Sequence, residues 1–169
     1  MWFKNLRIYR LDPQFGVSAQ ALAEMLAKHQ FAPGGSQEPL SLGWVAPREG
    51  GELVHEVNGQ YLICMRAEKK LLPSAVVNQA AREKAREIEE QQGYKPGRKQ
   101  MKEIKEQIII DLMPRSHAVQ RDTMVWIDTR NHWFVIDAAA TAKSDEVLGL
   151  LAKSVEPFPV QPLYTEHSP

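Results

Sequence analysis

Leu53-Val54-His55-Glu56-Val57-Asn58-Gly59-Gln60-Tyr61-Leu62-Ile63-Cys64-Met65-Arg66 is the stretch on which the fold turns. Two apolar-rich runs flank Asn58-Gly59, and Asn-Gly tolerates positive φ at both central positions of a type I′ turn. The stretch therefore predicts a two-residue antiparallel hairpin. Downstream, Met124–Asp128, a turn over Thr129–His132 and Trp133–Asp137 repeat the pattern. Two hairpins between helical segments imply sequence neighbours paired in an antiparallel sheet, hence an α+β fold.

Working outward, residues 2–11 read as a strand ended by Asp12-Pro13 and Gly16. Ser18 is a good N-cap, with Val17 and Leu22 at the spacing of a hydrophobic staple. Leu22, Met25, Leu26 and His29 then share one helical face, and Pro33-Gly34-Gly35 is the expected stop. Gly43-Trp44-Val45 is a short apolar piece. Pro73-Ser74 opens a helix to about Gln92; Gly93 and Pro96-Gly97 break it; a second helix runs from about Arg98 to Met113, before Pro114. Ser144 is expected to cap a last helix, with Asp145 and Glu146 in its first turn, Val147, Leu150, Leu151 and Val155 facing inward, and Pro157 ending it. Phe158–Leu163 reads as a final edge strand and 164–169 as a loose tail. The order is β-α-β-β-α-α-β-β-α-β: an antiparallel sheet with flanking helices. Residues 1–73 and 120–163 form a discontinuous central domain, and 74–119 a projecting helical hairpin, the tip. Trp126 and Ile127 sit in an apolar hairpin strand, and Trp126 is expected to be mainly a core residue.

Charge points toward function. The chain of 169 residues carries 21 Lys+Arg and 21 Asp+Glu. Residues 66–121 nevertheless hold 13 basic and 8 acidic side chains, and the remainder 8 and 13. The surplus gathers at Lys95, Arg98, Lys99, Lys102 and Lys105, opposed locally only by Glu103. Positive charge segregated on a helix is an electrostatic footprint for a polyanion. Tyr94 is the only aromatic nearby, so phosphate contact is favoured over base stacking. The plain alternative is a solvated charged face.

Other chemistry is sparse. The sequence has no G-x-S-x-G, P-loop or G-x-G-x-x-G motif. Its five histidines (His29, His55, His117, His132, His167) are scattered, and one cysteine, Cys64, excludes a disulfide framework or multi-cysteine zinc site. Cys64 reads as a buried thiol. Asp128 and Asp137 end the two strands of one hairpin and could face each other, which is the basis of a metal-assisted hydrolase reading. Neither a signal peptide nor a run of ~18 apolar residues is present, so the expected compartment is the cytoplasm, with no membrane partner.

Residues along the whole chain carry a resemblance: Trp2-Phe3-Lys4-Asn5-Leu6 with Tyr9-Arg10; Phe31, Pro33 and Gly35-Ser36-Gln37; Gly43-Trp44-Val45 with Pro47; Asn58-Gly59-Gln60 with Ile63-Cys64 and Arg66; Leu72-Pro73; Leu112 with Pro114-Arg115; Thr123 and Trp126-Ile127-Asp128. In this order they resemble the N-terminal half of the bacterial recombination-associated RdgC proteins. The resemblance implies a non-enzymatic protein without cofactor or metal. Such a protein binds double-stranded DNA without sequence preference, forms a ring-shaped homodimer around it, associates with the nucleoid and restrains the RecA recombinase. Phosphate contacts are expected from Lys95, Arg98, Lys99, Lys102, Lys105 and Arg115. A dimer contact is expected at Ile109, Leu112 and His117, where the family usually has phenylalanine in place of the histidine. The alternative reading is a protein-interaction module that associates through the hairpin without binding DNA.

Overall fold

The computed structural model describes residues 3–161. Its elements are β1 (Leu6–Leu11), α1 (Ala19–Ala27), β2 (Leu40–Val45), β3 (His55–Val57), β4 (Gln60–Leu71), α2 (Ser74–Gln92), α3 (Arg98–Leu112), a 3-10 turn (Met113–Arg115), β5 (His117–Asp128), β6 (Trp133–Asp137), α4 (Thr141–Ser154) and β7 (Val160–Gln161). Seven strands make one sheet in the order β2-β4-β5-β6-β1-β7, with β3 also beside β4. The fold is α+β. The added strand relative to expectation is β2, which extends Gly43–Val45 back to Leu40.

The Asn58-Gly59 turn forms as its chemistry requires. Asn58 and Gly59 have φ of 51° and 77°, and Val57 pairs with Gln60, Glu56 with Tyr61 and His55 with Leu62. In the second hairpin Asp128 pairs with Trp133 and Val125 with Ile136. Its first strand begins at His117, seven residues before the expected start.

The chain divides into two compact units: residues 1–32, 42–67 and 121–169, and residues 33–41 and 68–120. The first unit holds the main core. Leu22 and Leu26 of α1 and Val147, Leu150 and Leu151 of α4 join Ile63, Met65, Val125, Ile127, Phe134 and Ile136 of the sheet. Trp44 is fully buried there, its indole N–H donating to Ser154 Oγ at 2.8 Å. Gly43 beside it is obligatory, because a Cβ would overlap the Phe31 backbone. Cys64 is a buried free thiol. Burial pushes it up to about 12, with the nearby Asp122 carboxylate adding to the effect.

Several expectations need correction. Trp126 is 37% exposed, and its indole N–H donates to Gln60 Oε1 at 2.6 Å. Successive strand residues face opposite sides, so Trp126 cannot share the core face of Val125 and Ile127. Helix α1 ends at Ala27, short of the Pro-Gly stop, because Gln30 bridges Trp44 and the Trp44 amide donates to the His29 carbonyl. Ser18 does cap it, accepting from the Ala21 amide at 3.1 Å. Ser144 is not a cap. Helix α4 starts four residues earlier, and Ser144 is buried inside it with its hydroxyl donating back to the Ala140 carbonyl. The last strand is only Val160–Gln161. Residues 162–163 of the expected strand and the tail 164–169 lie outside the described residues, as do Trp2 and His167.

Candidate nucleic-acid interface

The second unit contains helices α2 and α3. Pro73 precedes α2, and Gly93 ends it in the left-handed region at φ 84°, where a glycine carries no Cβ penalty. Pro96-Gly97 leads into α3, whose N-cap is Gly97. Across this connection the side-chain amides of Gln92 and Gln100 hydrogen-bond to each other at 3.2 and 3.4 Å. The helices pack through a thin seam. Val77, Ala81 and Ile104 are buried, while Ala85, Ile88, Met101, Ile108 and Leu112 are only half-buried. Alanines share the α2 side of the seam with Val77 and Ile88, so the pair covers little apolar area. Ile109 and Ile110 stay 37% and 50% exposed.

All six expected phosphate contacts, Lys95, Arg98, Lys99, Lys102, Lys105 and Arg115, are exposed. Arg98, Lys102 and Lys105 stand at i, i+4 and i+7, which puts them on one face of α3. With Pro96, Gly97, Met101 and Ile109 they line a shallow groove whose only carboxylate is Glu106. Glu106 Oε1 lies 3.9 Å from Lys102 Nζ with both side chains exposed, a pairing too weak to neutralise the lysine. Lys99 is rotated roughly 100° from Arg98, and Lys95 lies in the connection before α3. Arg115 is not brought to this cluster. It sits in the 3-10 turn past the far end of α3, roughly 25 Å along from Arg98 at 1.5 Å per residue.

The basic surplus of residues 66–121 is partly structural. The Arg66 guanidinium donates twice to the Asp122 carboxylate, at 2.8 and 2.9 Å, which raises its already high pKa. Within the second unit, Lys70 Nζ donates to the Gly35 and Ser36 carbonyls at 3.0 and 2.6 Å. A charge count cannot separate such side chains from free ones; the helical spacing of Arg98, Lys102 and Lys105 can.

Of the three expected dimer-contact residues, Ile109 is exposed within the basic groove, Leu112 is half-buried, and His117 is exposed at the start of β5. Sequence reasoning missed the opposite side of the hairpin. There Glu83, Glu87, Glu103 and Asp111, with Lys84 the single cation, surround an apolar floor of Ile88, Ile104 and Ile108. Its signal was the interleaving of carboxylates between the basic positions, which a regional charge count averages away.

The carboxylate pair is not a site. Asp128 stands opposite Trp133, and Asp137 opposite Leu6, at the two ends of β6, four residues or roughly 13 Å apart. Each carboxylate organises backbone. Asp137 accepts from the Lys4 and Asn5 amides. Asp128 accepts from the Arg130 and Asn131 amides and from the Gln60 and Asn131 side chains. Burial pushes the Asp128 carboxyl up, but these hydrogen bonds outweigh it and hold the group below its usual range. Among the described residues no three His, Cys, Asp or Glu side chains converge on a point where an ion could sit.

Known proteins resemble the chain along its whole length. The family model described as "Putative exonuclease, RdgC" matches residues 1–169. Recombination-associated protein RdgC of Bordetella parapertussis is 59% identical over all 169 residues, that of Cupriavidus necator 56% and that of Burkholderia ambifaria 50%. The chain spans about half the length of these relatives, 55–56%. Matched along its whole length at this identity, the chain belongs to the RdgC family of recombination-associated proteins.

Proposed function

We propose that the chain binds double-stranded DNA through its phosphates, without reading sequence, and acts in recombination by restraining RecA on nucleoid DNA. One observation carries this reading: three cations at helical spacing share an exposed face with a single, weakly paired carboxylate. Such a face supplies charge, two of its three cations being lysines that act as point charges, and it carries no aromatic ring on which a base could stack. Lys95 and Lys99 extend the positive field around it, and Arg115 offers a separate contact past the far end of α3. The reading is of a binding protein: the two carboxylates that would carry hydrolysis are spent on turn and strand-end hydrogen bonds. In the ring-shaped homodimer we propose for the whole protein, Ile109, Leu112 and His117 supply a contact between copies.

The test is a duplex titration at several salt concentrations. Three phosphate contacts give a log–log slope of roughly −2.7. Replacing Arg98, Lys99 and Lys102 together by alanine should flatten the slope and weaken binding; unchanged affinity would remove this face from DNA binding. Release of nucleotides from a labelled duplex with added magnesium or manganese would replace the binding reading with the nuclease named in the family description.

A second reading is favoured by the floor of the same groove. Met101 and Ile109 lie between the cations, an arrangement that also suits an acidic amphipathic helix. Binding of that kind would retain affinity in high salt through its apolar contacts, whereas phosphate binding would not.

A further inference from the structure

Strand β1 is covered along one edge and open along most of the other. On the β6 side residues 6–10 are all paired, whereas β7 reaches only Arg10 and Leu11. The Leu11 amide donates to the His132 carbonyl. In an antiparallel ladder the bonding direction alternates, so Leu11, Tyr9 and Arg7 turn their backbone groups to β6 and Arg10, Ile8 and Leu6 turn theirs away. Arg10 meets Gln161 on that far side. Among the described residues no strand meets Leu6 or Ile8 there. Their amides and carbonyls open on a groove lined by residues 4–9 with Ala138 and Ala139. The charged side chains of the groove are Lys4 and Arg7, and no carboxylate is among the residues that line it. Arg7 Nη2 donates to the Ala139 carbonyl at 2.9 Å, while its Nε is buried with no partner among the described residues. The nearby Asp137 carboxylate is engaged by the Lys4 and Asn5 amides. On the opposite side of the strand from Arg7, Leu6 and Ile8 are 57% and 43% exposed.

We propose that this edge takes up an extended acidic segment of another protein by strand addition. An exposed apolar edge is a ready template for a further strand. The backbone of the segment completes the ladder on Leu6 and Ile8, which gives affinity, and its side chains give selectivity. Those side chains alternate as the side chains of β1 do. Acidic ones level with Arg7 meet its guanidinium, with Lys4 at the end of the groove. Apolar ones level with Leu6 and Ile8 cover them, as cross-strand neighbours do. A nucleic-acid backbone has no N–H donors with which to complete a ladder, so the edge selects a peptide. The groove belongs to the first unit and does not depend on the DNA reading.

Amide exchange on the full chain tests this, with a terminally blocked hexapeptide of alternating glutamate and valine as the probe. In the free chain the Leu6 and Ile8 amides should exchange quickly, and the Arg7 and Tyr9 amides slowly. At a hundred times Kd the peptide should slow Leu6 and Ile8 by about 100-fold. A peptide of alternating lysine and valine should leave them unchanged. Ile8→Pro removes an outward amide that β6 does not use, a change that an edge strand tolerates. It should abolish peptide binding while the slow amides of β6 stay slow. Slow exchange of Leu6 and Ile8 before peptide is added would mean that the edge is already taken, by a second copy where it depends on chain concentration and by the chain itself where it does not. Either result overturns the proposal. So does equal binding of the two peptides, unchanged binding by Ile8→Pro, or protection of Arg98 and Lys102 in place of β1, which would assign the peptide to the basic face of α3. A short duplex that slows Leu6 and Ile8 as the peptide does would make nucleic acid the occupant, and overturns it too.

Discussion

At the scale of single residues, two tryptophans show how position decides cost. Trp44 is fully buried, with its only polar atom satisfied by Ser154. Replacing it by alanine leaves a large cavity and should cost about 3–5 kcal/mol in a denaturant titration. Trp126 is exposed on the other side of its strand from the core and has Gln60 as its partner. Trp126→Ala should cost about 1 kcal/mol, near that of one hydrogen bond. Equal losses at the two sites would contradict the assigned faces. Asp128 is a third case. Its buried carboxylate satisfies two backbone amides and two side-chain amides. Asp128→Ala strands these donors and should destabilise the protein by about 1–3 kcal/mol. The folded-state pKa is depressed, so the carboxylate's stabilisation is complete above its unfolded value of about 3.9. It is lost as pH falls through the folded value. Urea midpoints for Asp128→Asn and the unchanged chain should therefore converge in acid and separate toward neutrality.

At the scale of elements, the packing of β2 depends on one missing side chain. The turn after α1 brings the Phe31 backbone onto Gly43, and any Cβ there must displace main chain. Gly43→Ala should cost about 1–3 kcal/mol, with loss of near-ultraviolet signal from Trp44 beside it. A variant of unchanged thermal stability would show that this approach is relaxed. Elements announced by their own residues were legible in sequence. Asn58-Gly59 specified its turn through positive φ, Ser18 its cap, and Gly93 with Pro96-Gly97 the break between α2 and α3. Elements set by distant partners were not. The end of α1 is fixed by the bridge to Trp44, and Ser144 lies inside a helix despite its capping chemistry. For the candidate site, sequence identified the cations and their helical face but placed Arg115 with them. It did not single out the carboxylates on the opposite side, because regional charge counting carries no angular information.

At the scale of the whole molecule, stability should be unequal between the two units. Unit one has a contiguous core of large side chains, among them Trp44, Phe134, Ile63, Met65 and Leu151, that are almost wholly inaccessible to water. The α2–α3 pair has only Val77, Ala81 and Ile104 buried along two helices of 19 and 15 residues. Local opening free energies follow buried apolar contact, so the hairpin should open without global unfolding. Native-state hydrogen exchange reads this directly. Amides of Ile63, Met65, Phe134 and Ile136 should exchange only through global unfolding, and those from Ala85 to Ile104 through smaller openings. Adding a duplex then discriminates among functions. A ligand that binds only the folded hairpin protects it by RT ln(1 + [L]/Kd), or about 2.7 kcal/mol at a hundred times Kd. Protection gained in α3 alone, and lost when Arg98, Lys99 and Lys102 become alanine, is the pattern expected of phosphate binding on this face. Protection appearing instead in β1, β6 or α4 would move DNA off the hairpin and onto the first unit. Uniform exchange across both units before DNA is added would mean that the thin α2–α3 seam opens only with the rest of the fold.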